Sequence, residues 1–479
     1  AFEYHHEWAE GFTPKAGLFW SFYFFMTGLH GMHVVAGMSA LAQVAAMDRL
    51  QGAAEGRAVS GSDRDFDRGR SLGVKAALEK LGIKIYPQDG SGINGAVAEL
   101  ALSTAIESDN PEVIKAKELG LKISHRSELL AAQVNRFDTI AVAGTSGKST
   151  VAAMLFSVLE AGGLGPSIIT GGALGALKER GLIGNAFRGS GNILVVEADE
   201  SDGTIMRYNP KTGLLLNISR DHKEIEELNE IFRGFAGNCG RLLVNADDIP
   251  SAALLPGAEK FGFSSDGWKV TEIKAGPFFS TFKINGVEFS LPAPGIYNIE
   301  NALAACAAAA VYGVNLETAS AGLKNFSGVE RRFVLLGEKN GVAVIDDYAH
   351  NPAKISALLK ALHQSPGRRV LAVYQPHGFT PTRHLKAELI ESFASGLNPG
   401  DMLIMPEIYY AGGAANRNIS SKDISDAVAA RGHKTAYFEN RPDIPAAVSK
   451  LAKPGDIVAV MGARDATLAD FARQILEAL

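Results

Sequence analysis

A chain of 479 residues is too long for one hydrophobic core and suits roughly three domains. Hydrophobic residues at 46% and charged residues at 21% exclude intrinsic disorder, and a net charge of -5 excludes a broad basic footprint for nucleic acid. Only Cys239 and Cys306 occur, far apart, which excludes a disulfide framework or a cysteine-built zinc site and points to a reducing cytoplasm.

The first fifty residues stand apart from the rest. Ten aromatic side chains fall between Phe2 and Phe25, and no charged residue occurs from Ala16 to Met47. That uncharged length predicts one candidate transmembrane helix over Leu18–Val35, with membrane contact through residues 17–38. The small-residue stretch Gly37–Met47 suits a soluble core instead. A buried strand and helix is the competing reading of the whole run. No positively charged region precedes it, so it does not read as a cleavable signal, and the opening Ala1 suggests a fragment. Glu3-Tyr4-His5-His6 and the run Phe22 to His33 resemble part of cytochrome c oxidase subunit III over residues 1–38.

After about Gly61 apolar strands alternate with amphipathic helices, the pattern of parallel α/β units. Thr139–Ala143 is a short apolar strand, and Val151–Leu159 reads as the helix that follows it. Between them lies Gly144-Thr145-Ser146-Gly147-Lys148-Ser149-Thr150. Glycines let successive N–H groups curl around one anion, and the following helix adds its positive end. Lys148 supplies a charge for terminal phosphates and Ser149 a hydroxyl for Mg²⁺. Val142 stands where the strict Walker pattern has glycine, so this is a shortened variant; a Gly/Ser turn with a surface lysine is the weaker alternative.

Four further groups follow in chain order. Glu197-Ala198-Asp199-Glu200-Ser201-Asp202 follows the strand Ile193–Val196, and hard carboxylate oxygens suit Mg²⁺, though acidic loops are often only solvated. The strand Leu214–Ile218 ends in Ser219-Arg220-Asp221-His222, where a lone histidine is more often structural than a ligand. Asn298 and Asn301 share a face at the head of an alanine-rich helix over Ile299–Val311; their amides could meet an adenine, but on spacing alone a helix cap is the better reading. The C-terminal part holds Arg331-Arg332-Phe333, Asp346-Asp347-Tyr348-Ala349-His350 and Gln375-Pro376-His377. Strands are expected at Val342–Ile345, Val370–Tyr374, Met402–Met405 and Ile457–Met461, a helix at Ile355–Leu362, and a hairpin at Phe278–Leu291 turning on Asn285-Gly286.

Taken together these pieces resemble the Mur ligase family from about Ser60 to the C-terminus. The resemblance rests also on Ser60-Gly61-Ser62-Asp63 and on Ser103-Thr104-Ala105-Ile106 with Asn110-Pro111-Glu112. It implies an α/β fold of three domains, Rossmann-like at both ends around a central P-loop ATPase. The implied division is a hydrophobic segment 1–38, a UDP-substrate domain 39–135 with an incomplete first strand and turn, an ATP domain 136–326 and an amino-acid domain 327–479. The implied reaction is ATP-dependent, Mg²⁺-requiring ligation of L-alanine to the lactoyl carboxylate of UDP-N-acetylmuramate through an acyl phosphate, in peptidoglycan precursor synthesis. No nucleic acid takes part.

Residue by residue, the resemblance gives Gly144, Thr145, Ser146, Gly147, Lys148, Ser149 and Thr150 to the ATP phosphates, Ser149 and Glu197 to one Mg²⁺, and Glu197 and His222 to a second. It gives Asn298 and Asn301 to adenine, with Arg332 and Asp347 closing over the nucleotide. Ser62 and Asp63 would meet the UDP substrate, and His377 and Arg383 the amino acid. Lys148, Glu197, His222 and His350 form the implied catalytic group. The sequence departs from the family where Val34-Val35-Ala36 runs into Gly37-Met38-Ser39 without the usual glycine-rich turn, and where Gly378 and Pro381 replace arginines. A ligase for another amino acid or peptide, and a membrane-attached oxidase remnant with a passenger domain, are the competing readings.

Overall fold

The computed structural model describes residues 19–24, 58–69, 72–103, 106–201, 203–219, 224–263, 265–364, 367–410, 417–465 and 467–479. They divide into two units, one carrying the N-terminal sheet and the other running from Leu130 to Leu479.

The first unit holds a five-stranded parallel sheet. Its strands are β1 (Phe19–Phe24), β2 (Ala58–Asp63), β3 (Lys84–Tyr86), β4 (Glu99–Leu102) and β5 (Lys122–His125), in the order β3-β2-β1-β4-β5. This corrects the expected membrane helix over Leu18–Val35, because its first third is the central strand of a sheet. Phe, Trp and Tyr favour extended backbone, and six residues are strand length rather than span length. The remainder of that run, the stretch Gly37–Met47 and most of the oxidase-like segment lie outside the described residues. Among the described residues no helix is long and apolar enough to cross a membrane. Helix α1 (Pro111–Glu118) starts where Asn110 accepts from the Glu112 amide at 2.9 Å and Pro111 presets the first turn.

The second unit begins with a seven-stranded sheet. Its strands are β6 (Asp138–Ala143), β7 (Ser167–Ile169), β8 (Ala186–Phe187), β9 (Ile193–Ala198), β10 (Thr212–Leu215), β11 (Arg241–Asn245) and β12 (Glu259–Phe261). The order is β12-β11-β10-β6-β9-β7-β8, parallel except for β8. Strand β6 is buried from Thr139 to Ala143 and apolar from Ile140 on, because both faces are covered. Its neighbours β9 and β10 lie on opposite sides, so a crevice opens beyond its carboxyl end.

Next comes an antiparallel sheet of β13 (Val270–Ala275), β14 (Ser280–Ile284) and β15 (Val287–Leu291). Asn285 and Gly286 both take positive φ, 49° and 87°, as the tight turn expected from the sequence requires. Phe282 and Phe289 stack across the pair at 5.3 Å and bury against the core formed by helix α2 (Lys148–Ala161) and helix α3 (Ile296–Ala310). Alanines along α3 let it lie close to α2, and burying each large apolar side chain there contributes about 1.5–3 kcal/mol.

The C-terminal sheet has strands β16 (Val334–Lys339), β17 (Val342–Asp347), β18 (Val370–Gln375), β19 (Met402–Pro406), β20 (Lys434–Phe438) and β21 (Ile457–Gly462). Their order is β16-β17-β21-β18-β19-β20, with β16 alone antiparallel. Apolar cores cover both faces, so β18 and β21 are buried throughout. Helix α4 (Pro352–Leu362) follows β17, capped by Asn351, which accepts from the Lys354 amide at 2.9 Å.

Candidate functional site

The loop Gly144–Gly147 leaves the end of β6 and runs directly into α2. Gly144 has φ 137° and Gly147 φ 89°. A methyl on Gly144 would come 3.1 Å from the Asn217 amide nitrogen, and one on Gly147 2.7 Å from Asn301 Oδ1. Both positions therefore need glycine. The segment after β10 fixes the loop from the side. The Thr145 amide donates to Asn217 O at 3.0 Å, and the Ser146 amide to Asn217 Oδ1 at 2.8 Å. Thr145 Oγ1 donates to Ser219 O at 3.1 Å. What remains is a rigid curl ahead of a helix N-terminus, suited to an anion.

Lys148, buried, donates to Gly144 O at 2.7 Å and pairs with Glu200 Oε2 at 2.8 Å. Burial alone would lower its pKa, but the carboxylates of Glu200, Asp199 and Glu197 hold it above the ordinary lysine value. The ammonium therefore stays charged at neutral pH. Ser149 Oγ lies 2.9 Å from both oxygens of Glu197 at the end of β9. Glu197 Oε2 also accepts from Thr170 Oγ1 and the Gly171 amide, each at 2.7 Å. A hydroxyl beside a fixed carboxylate is a hard-oxygen pair. Among the described residues no group of three His, Cys, Asp or Glu side chains could hold a metal ion by itself. The donor set fits Mg²⁺, which completes its shell with water and phosphate oxygens.

At the head of α3, Asn298 Nδ2 donates to Pro294 O at 2.7 Å and Asn301 Nδ2 to Asn298 Oδ1 at 3.3 Å. The pair shares one face, as the spacing predicted, and Asn301 lies against Gly147. The alternative that Asn298 caps the helix does not hold, because Gly295 occupies the cap position. Desolvation and the Asp347 carboxylate both push the Tyr297 phenol up, while Arg332 opposes them. Asp347 and Arg332 are thus felt at the start of α3.

The C-terminal residues form a second group. Asp347 accepts from the Phe333 and Ala349 amides at 2.7 Å each. Arg331 and Arg332 both stand over the Tyr348 ring, 5.0 and 5.1 Å from its centre. His350 and His377 are buried with ring centres 5.7 Å apart. His350 Nδ1 lies 2.8 Å from Tyr348 O, which can only accept, so Nδ1 carries the proton. Nε2 is then a bare acceptor, and among the described residues it has no hydrogen-bond partner. Burial, with Lys354 and His377, holds the imidazole well below its ordinary pKa. Arg383 sits in the short helix Phe379–His384 that opens after His377.

In the first unit, Ser62 and Asp63 end β2 and are fully buried. Ser62 Oγ reaches Glu112 Oε1 at 3.5 Å, and the Gly90 amide donates to the same oxygen at 3.2 Å. His222 lies outside the described residues. Sequence reading missed the parts played by Thr170, Gly171, Glu200 and Asn217. A Thr-Gly-Gly directly after the strand Ser167–Ile169 was the available signal for the first two, and strand-end position for Asn217.

Three family profiles match the chain: Mur ligase family catalytic domain over residues 36–138, Mur ligase middle domain over 142–309, and Mur ligase glutamate ligase domain over 331–464. Among curated relatives, the UDP-N-acetylmuramate–L-alanine ligase of a Cyanothece species is 34% identical over 458 residues, covering 89% of this chain and 90% of that one. The ligase of the same name from Pelotomaculum thermopropionicum is 36% identical over 408 residues, 81% of this chain and 86% of that one. Among solved structures, the UDP-N-acetylmuramate–alanine ligase of Thermotoga maritima superposes with a TM-score of 0.76 at 24% identity, covering 96% of this chain and 99% of that one. A murein peptide ligase from Psychrobacter arcticus gives a TM-score of 0.66 at 22% identity, over 96% and 98%.

Proposed function

The chain belongs to the Mur ligase family, and from that premise we propose that it joins L-alanine to UDP-N-acetylmuramate at the expense of ATP, in peptidoglycan precursor synthesis. The observation that carries this reading is the juxtaposition of buried Lys148, at the phosphate-loop helix, with Ser149 and a Glu197 fixed by three donors.

The stretch 144–150 receives the β- and γ-phosphates, through the N–H groups of residues 147–150 at the helix start because Asn217 holds those of Thr145 and Ser146, and Lys148 neutralises charge on them. For the phosphates to be met, the Lys148 ammonium must exchange Glu200 or Gly144 O for a phosphate oxygen. Ser149 and Glu197 would hold one Mg²⁺, which when bound supplies charge neutralisation at the phosphates, and Glu197 with His222 would hold a second. Asn298 and Asn301 face the adenine side, and Arg332 and Asp347 meet the nucleotide from the C-terminal sheet. Ser62 and Asp63 serve the UDP substrate.

The lactoyl carboxylate oxygen attacks the γ-phosphorus, and ADP leaves with the bridging electron pair. The alanine nitrogen then attacks the carbonyl carbon of the acyl phosphate, and inorganic phosphate departs. His350 Nε2, a bare acceptor in a dry site, suits a hydrogen bond from that nitrogen, and His377 and Arg383 suit the carboxylate beside it. Holding acid, phosphate and amine together is worth about 7–11 kcal/mol of barrier, more than any one side chain supplies. ATP and the two unpaired thiols both suit the cytoplasm.

One departure favours a second reading, a related ligase for another amino acid or a peptide. Gly378 and Pro381 replace the arginines that the resemblance leads one to expect beside His377. ADP release measured with UDP-N-acetylmuramate against a panel of amino acids and peptides separates the two. L-alanine should give the largest kcat/KM; a peptide outrunning it would favour the second reading, and no acceptor-dependent release would overturn both.

A further inference from the structure

The carboxylate at the cation site and the entry to the C-terminal sheet are tied to the same short loop. Residues Thr170 and Gly171 follow β7 and donate to Glu197 Oε2 at 2.7 Å each. The next residues, Gly172 to Gly175, run against the segment that leads into the C-terminal sheet. Leu174 pairs with Val329 in an antiparallel bridge. The Glu330 amide donates to Ala173 O at 2.8 Å, and the Gly175 amide to Gly328 O at 3.0 Å. Val329 is buried and belongs to the same apolar core as α2 and α3, so the connecting segment is anchored rather than loose.

Beyond Val329 the same segment sets the C-terminal groups. The Arg332 amide donates to Val329 O at 3.0 Å. Tyr348 donates its amide to Arg331 O at 2.7 Å, and Phe333 its amide to Asp347 Oδ2 at 2.7 Å. Arg331 and Phe333, on either side of Arg332, take φ of 60° and 52°, a left-handed backbone that non-glycine residues adopt only when surroundings impose it. Gly172 and Gly175 are the tight points, Gly175 against the Ser327 backbone and Gly172 against the Val329 side chain. A methyl on Gly172 would lie 2.4 Å from Val329 Cγ1 and 3.5 Å from Ser149 Cβ.

We propose that Gly172 and Val329 are positioning residues, a strap through which the state of Glu197 sets where Arg332 and Asp347 stand. The inference rests on the ligase reading only for what the coupling accomplishes; the strap itself needs just a nucleotide at the phosphate loop. Displacement of Thr170 and Gly171 by a cation at Glu197 moves Gly172 against Val329, and the rigid bridge carries that shift to residues 331–333.

Hydrogen exchange at residues 329–333, with and without Mg·ADP, tests this on the full chain. Three variants are compared with the parent: Gly172→Ala, Val329→Ala, and the two combined. In the parent, nucleotide should slow exchange of the Arg332 and Phe333 amides. Gly172→Ala should abolish the response and lower kcat on the order of tenfold with little change in ADP affinity, in the range that positions away from a ligand carry. Adding Val329→Ala makes room for the methyl and should restore both. Val329→Ala alone should weaken the response, which keeps the test readable if Gly172→Ala does not fold. The proposal is overturned if the parent binds ADP without any response at 329–333, or if the combined variant is no better than Gly172→Ala. A parent that responds to nucleotide yet shows no acceptor-dependent turnover would overturn the ligase reading and leave the strap standing.

Discussion

Single side chains at the site owe their states to burial as much as to partners. Lys148 keeps its charge because three carboxylates outweigh desolvation, whereas His350 loses its charge to burial, with Lys354 and His377 adding to the effect. The His350 case has a consequence for stability. In the unfolded chain the imidazole takes a proton below about pH 6.5, while the folded one, with its pKa depressed, does not. Stability is therefore intact above that pH and lost as pH falls through it, by about 1.4 kcal/mol per unit until the folded pKa is reached. The drop in melting temperature between pH 7.5 and 5.5 should be smaller in His350→Gln than in the parent; equal drops would contradict the assignment. At this scale the loop 144–150 between β6 and α2 was legible because its seven residues are contiguous. Glu200 was visible as a carboxylate, but its pairing with Lys148 depends on strand β9 lying beside β6, which no local pattern states.

Elements were legible where a local rule applied. Asn285-Gly286 announced its turn, and the buried parallel strands β6, β9, β17, β18, β19 and β21 announced themselves as apolar runs. Strand β16 went unread because it is half exposed, lies at an edge and carries a register shift at Gly337, so neither alternation nor an apolar run marks it. Strand β1 was misread as helix for the opposite reason: an uncharged aromatic run has the composition of both, and only the pairing of β1 between β2 and β4 decides. The junction of β6 and α2 also carries an expectation. Gly147 holds a left-handed backbone that costs a side-chain-bearing residue about 1–2 kcal/mol, besides the clash with Asn301. Gly147→Ala should weaken nucleotide binding roughly tenfold if the loop shifts to relieve that strain. Titration calorimetry with Mg·ATP checks it, and unchanged affinity would show that the loop does not cradle the phosphates.

For the molecule as a whole, chain length and the family resemblance led to an expectation of three α/β domains with the loop 144–150 in the second. The α/β sheets are found in that order. What the sequence could not convey is the connection between them. The expected domain division falls at Ser327, yet the residues just after it, 328–333, are paired with the loop that holds Glu197 and carry two strained residues. Such a segment is invisible to periodicity because its structure is imposed from both ends.

The proposed ligation depends on a triphosphate seated on residues 144–150 beside Glu197. Steady-state ADP formation from ATP, UDP-N-acetylmuramate and L-alanine, compared in the parent and in Lys148→Ala, tests it most directly. Loss of a group that neutralises transferred charge should reduce kcat at least about 100-fold, with the melting temperature showing a folded protein. Parental turnover in a folded Lys148→Ala would contradict the account.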